Sequence, residues 1–68
     1  MIGNNIKKIR EKMGLSQMDL ANKAGISHEY LNKIENLKMN NPSSKVLDKI
    51  AKSLNVPVNK LYKEDDKE

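Results

Sequence analysis

The apolar residues of this chain recur at three- and four-residue intervals, in short blocks separated by polar turns. Ile6, Ile9 and Met13 share one face of a helix over about residues 5–13, and Gly14 stops it. Ser16 opens an S-x-x-D pattern with Asp19, a reciprocal cap for a second helix whose inner face is Leu20, Ala21 and Ala24 and whose end is Gly25. Ser27 offers the next cap, with Ile26 ahead of it and Leu31 at the fourth helical position, the spacing of a hydrophobic staple. Tyr30, Leu31 and Ile34 share one face of this third helix. Residues 37–42, LKMNNP, read as a loop, because Asn-Asn-Pro does not comfortably continue a helix. Ser43 or Ser44 starts a fourth helix lined by Val46, Leu47, Ile50, Ala51 and Leu54, and Pro57 suits the first turn of a short fifth one carrying Val58, Leu61 and Tyr62. No run alternates as a strand does, so the expected fold is all-α, five helices packed within residues 1–62. The final six residues, KEDDKE, have nothing to bury and are expected to form a disordered acidic tail over 63–68.

A chain of 68 residues supports one thin core, and with no Phe or Trp and two Tyr that core must be aliphatic. Met13 is expected to fill it, with Met18 and Met39 partly exposed. The absence of cysteine and the single His argue against disulfides and a zinc cluster, and fit a reducing cytoplasm. No apolar run is long enough to span a bilayer, and MIGNNIKKIREK lacks the apolar core of a signal peptide, so a cytoplasmic protein without a membrane partner is expected. The formal charge is +4, and residues 1–62 alone carry 11 bases against five acids. That balance favours an anionic partner such as nucleic acid; the plain alternative is a lysine-rich surface that keeps the chain in solution. The serines sit at caps with no base near them in sequence, and the clustered carboxylates lie in the tail, so neither an enzyme nor a cofactor is expected.

Two short helices joined by a turn of a few residues containing Gly form the helix-turn-helix arrangement, whose second helix lies in the DNA major groove. Leu20, Ala21, Ala24, Gly25, Ile26, Leu31 and Ile34 are small or apolar at each place where two such helices must touch. IKKIREKMGLSQMDLANKAGIS, LNKIEN and NPSSKVLDKIAKSLNVPVNKLY together resemble the Cro and phage-repressor helix-turn-helix family, also called the XRE family, from Ile6 to Tyr62. The longer loop in IENLKMNNPS is similar to that of the DNA-binding domain of sporulation and biofilm repressors of spore-forming bacteria. The resemblance implies a λ-repressor-like DNA-binding domain in residues 1–62, acting as a transcriptional repressor that binds an operator as a two-fold dimer. It also serves antitoxins and restriction-system controllers. A rival of another class is a protein-interaction module, which would place apolar anchors where this third helix is polar.

At about 100° per residue, Asn32, Glu29 and Lys33 lie within about 140° of His28 on one side of the third helix, while Leu31 and Ile34 lie opposite. His28, Glu29, Asn32 and Lys33 are therefore the expected base readers, the alternative being four ordinary solvated side chains. Glu29 would accept from cytosine N4, Asn32 would pair with adenine and Lys33 would donate to guanine. Tyr30, at the border, would pack or reach a phosphate. The family resemblance implies phosphate contacts from Gln17 and from the loop residues Lys38 and Asn40, with Ser16 and Ser27 as caps first and phosphate donors second. Arg10 falls about 40° from Ile6, among the apolar positions of the first helix, and needs a partner there. The resemblance implies that this partner is Glu35, in an ion pair that aims the third helix. Partners implied are double-stranded DNA, a second copy of the chain meeting through Leu61 and Tyr62 or a further domain, and a regulatory protein.

Overall fold

The computed structural model describes residues 2–36 and 42–62. The elements are α1 (Ile2–Lys12), α2 (Gln17–Ala24), α3 (His28–Asn36), α4 (Ser44–Leu54) and a 3-10 helix at Val58–Leu61, with no strand among the described residues. Lys38, Asn40 and the tail 63–68, all given roles in the sequence reading, lie outside the described residues.

The helix ends follow local chemistry. Ser16 and Asp19 exchange the two bonds of a capping box at the start of α2, and Gly25 ends that helix at φ 70°, the left-handed region that glycine enters without strain. Ser43, rather than Ser44, caps α4 by accepting from the Val46 amide, and Asn55 ends the helix at φ 60°. Asparagine is among the few residues with a side chain that tolerate this conformation.

Ile6, Leu20, Leu31, Ile34, Leu47, Ile50, Leu54 and Leu61 are fully enclosed, and Ala21, Ala24 and Ala51 let the helices approach around them. α2 packs on α3 and α4, α1 packs on α3, and the 3-10 helix closes the bundle against α1 and α4. The buried small residues of α2, Ala21 and Ala24, thus sit where it meets α3 and α4.

Four expectations change. α1 begins at Ile2, not near residue 5, because tertiary contact outweighs the weak helix propensity of Gly3 and Asn4. Gly3 is buried where the backbone of α1 meets that of α3, and the side-chain amide of the buried Asn5 donates to the Leu61 carbonyl at 3.0 Å. Met13 is not core: it is 47% exposed, carried off the inner face by the turn that ends α1, and Leu15 packs against the core from the following segment. The fifth helix is a single 3-10 turn, with Lys60 and Tyr62 amides bonding three residues back, since Val58–Leu61 is too short for an α ladder. Leu61 is fully buried and so unavailable as a dimer surface, leaving Tyr62, 58% exposed, as the outward residue of that pair.

Candidate nucleic-acid interface

The polar face of α3 and the start of α2 meet at one surface because the Gly25 turn folds the two helices against each other. Ser27 Oγ accepts from the Tyr30 amide at 3.0 Å and so caps the first turn of α3. Ser16 does the same for the Asp19 amide at 3.0 Å, while the Asp19 carboxylate accepts from the Ser16 amide at 3.1 Å. Hydrogen bonding to the carboxylate, from the Ser16 backbone amide first and the Ser16 side chain second, holds the Asp19 carboxyl below its ordinary value of 3.8.

His28, Glu29, Asn32 and Lys33 are all exposed along α3, while Leu31 and Ile34 on the other side are in the core. Tyr30 is half-buried and packs against the core cluster. The outward row therefore combines a carboxylate acceptor, an ammonium donor, an amide and an imidazole, the set of groups that base edges in a major groove can satisfy. Among the described residues, no group of three or more His, Cys, Asp or Glu is placed to hold a metal ion.

Beneath this row runs a connected polar chain. Arg10 donates from Nε to Glu35 Oε2 at 2.9 Å and from Nη2 to Glu35 Oε1 at 3.0 Å, with Nη1 on the Leu15 carbonyl at 2.8 Å. The Glu35 side chain is fully buried and that of Arg10 is 9% exposed, so each is the counter-charge that allows the other to be there. Gln17 donates from Nε2 to Glu35 Oε1 at 3.0 Å, and its Oε1 lies 2.8 Å from His28 Nε2. Asn32 Oδ1 is a more distant neighbour of Gln17 Nε2 at 3.5 Å and accepts from Asn36 Nδ2. A line of contacts thus joins α1 to the first residue of α3 through α2.

The sequence reading assigned Gln17 to phosphate and His28 to bases without linking them. No periodicity connects residues eleven apart across a turn, so their contact had no sequence signal. The shallow groove of about 450 Å³ lined by Lys23, Ala24, Lys49, Lys52 and Ser53 uses the opposite end of α2 from Gln17.

The HTH-type transcriptional regulator SinR of Bacillus licheniformis is 42% identical over 66 residues, which cover 97% of this chain and 60% of that relative's length. A crystal structure of the biofilm master regulator SinR in complex with DNA superposes with a TM-score of 0.87 at 41% identity, covering 93% of this chain and all of the other. The SinR protein/SinI protein complex matches with a TM-score of 0.88 at 42% identity, over 94% of this chain and 62% of that one. The helix-turn-helix family profile matches residues 6–61, and this chain belongs to that family.

Proposed function

We propose that the chain is a sequence-specific DNA-binding transcriptional regulator, a repressor that inserts α3 in the major groove and binds its operator as a two-fold dimer. The observation that carries this reading is the exposed polar face of α3, His28, Glu29, Asn32 and Lys33, standing beside the N-terminus of α2 on a buried apolar support. Those four residues read base edges. Ser16, Gln17, Ser27 and Tyr30, with Lys38 and Asn40 from the following loop, position the protein on phosphates. The likeness to SinR in complex with DNA, over nearly the whole of this chain, supports the docking mode.

The DNA-binding domain occupies residues 1–62. No described helix is long and apolar enough to cross a membrane. As a regulator bound to an operator, the protein works in the bacterial cytoplasm on the nucleoid. The SinR protein/SinI protein complex supports a regulatory protein as a further partner. This chain spans 60% of the length of the Bacillus licheniformis relative.

The test is selection of bound duplexes from a random DNA library at about 150 mM salt, followed by sequencing. An enriched inverted repeat with half-sites about one helical turn apart is the expected result. Retention that shows no sequence preference and vanishes as salt rises would leave only a basic surface and would overturn the reading.

A further inference from the structure

We propose that the buried Arg10–Glu35 pair, acting through Gln17, fixes which nitrogen of His28 faces DNA, and so makes His28 a reader of exocyclic amino groups. The inference rests on the DNA-binding reading above and adds to it the specificity at one position. A carboxylate accepts only, and both oxygens of Glu35 already accept from Arg10. The Gln17 group directed at Glu35 Oε1 is therefore its amide nitrogen, and the amide oxygen is turned to His28. That oxygen accepts, so the imidazole must place its N–H at Nε2. In the neutral ring, Nδ1 is then a bare acceptor, and no described protein group bonds it.

His28 is the first residue of α3 and is exposed, the position from which a recognition helix reaches base edges. An acceptor there pairs with adenine N6 or cytosine N4 and is repelled by guanine O6 or thymine O4. The position read by His28 therefore accepts adenine or cytosine on the contacted strand and rejects the same pair turned end for end. Gln17 is a positioning residue in this scheme: removing its amide frees Nε2–H to turn outward as a donor.

The experiment uses the full chain, its selected duplex and the variants His28→Ala and Gln17→Met, at about pH 8. Gln17 is only partly buried, between Glu35 and His28, and circular dichroism checks that each variant is folded. His28→Ala first identifies the base pair it reads, as the one position whose preference is lost. At that pair, inversion from A·T to T·A or from C·G to G·C weakens wild-type binding about tenfold, while exchange of A·T for C·G changes it little. In Gln17→Met this order collapses or reverses at that one position. A uniform loss of affinity in Gln17→Met, with the preference intact, would show that Gln17 only grips phosphate and would overturn the proposal. A wild-type preference for guanine or thymine on that strand would overturn it too, as would a selected operator with no position sensitive to His28→Ala. If the library yields no sequence at all, the DNA-binding reading fails and the proposal falls with it.

Discussion

The guanidinium of Arg10 and the carboxylate of Glu35 meet in two parallel hydrogen bonds of 2.9 and 3.0 Å, between residues twenty-five apart in sequence and both buried. This fork ties α1 to α3. Removing one partner leaves the other buried and unpaired, which costs more than the pair itself contributes. Arg10→Met is expected to lose about 3–5 kcal/mol, a large fraction of what a domain of this size has. Arg10→Met combined with Glu35→Leu is expected to regain most of it, as the apolar replacement needs no counter-charge. Urea denaturation of the natural chain, Arg10→Met, Glu35→Leu and the double variant measures both steps and closes the cycle. A double variant as unstable as the sum of its parts would mean that the pair adds no coupling.

Gly3 makes a prediction whose sign opposes helix propensity. Alanine in a helix interior ordinarily stabilises relative to glycine by roughly 0.5–1 kcal/mol. At Gly3, however, a Cβ would run into the carbonyl oxygen of Ile34, a backbone atom that has no rotamer to move away. Gly3→Ala is expected to destabilise by about 1–3 kcal/mol, the usual cost of overpacking. A raised denaturation midpoint would show that α1 and α3 are not held this close. Gly25→Ala meets no atom and is expected to lose about 1–2 kcal/mol through its positive φ alone.

Acid acts on the cap of α2. The Asp19 carboxyl is held below 3.8 by its bonds from Ser16, so its folded value lies under its unfolded one. A depressed carboxyl adds stability above the unfolded value and loses it as pH falls through the folded value. Denaturation midpoints taken from pH 7 down past pH 3 should therefore decline less steeply in Asp19→Asn than in the natural chain. Equal slopes would mean that the box does not couple to folding. Ser16→Ala should cost about 1 kcal/mol at neutral pH.

The end of the chain separates core from surface within two residues. Leu61 is fully enclosed and Tyr62 is 58% exposed. Leu61→Ala is expected to cost about 2–5 kcal/mol, and Tyr62→Ala within about 0.5 kcal/mol of nothing, by thermal or urea unfolding. Similar losses at both would place Tyr62 in an interface of the folded protein.

The ends of α2, the start of α3 and most of the core were legible because they are local. Ser16, Asp19, Gly25 and Ser27 each act within a few residues, and Leu20, Leu31, Ile34, Leu47 and Ile50 declare themselves by period. What escaped depends on distant chain segments. Gly3 and Asn5 look like weak starts for a helix, and only contact with Ile34 and Leu61 makes the first residues helical. Met13 kept the apolar period but fell beyond the last turn of α1, where the period no longer describes direction. Arg10 revealed its inward face by spacing, whereas Glu35 as its partner came through family resemblance. The Gln17–His28 contact had neither kind of signal.

The most direct measurement is the amide chemical-shift map of the isotopically labelled chain titrated with its selected duplex. The account predicts that the largest changes fall on Ser16, Gln17, Ser27 and the exposed α3 residues His28, Glu29, Asn32 and Lys33, with Lys23, Lys49 and Lys52 little affected. Changes centred on those three lysines, with α3 unmoved, would contradict the claim that α3 is the surface that reads DNA.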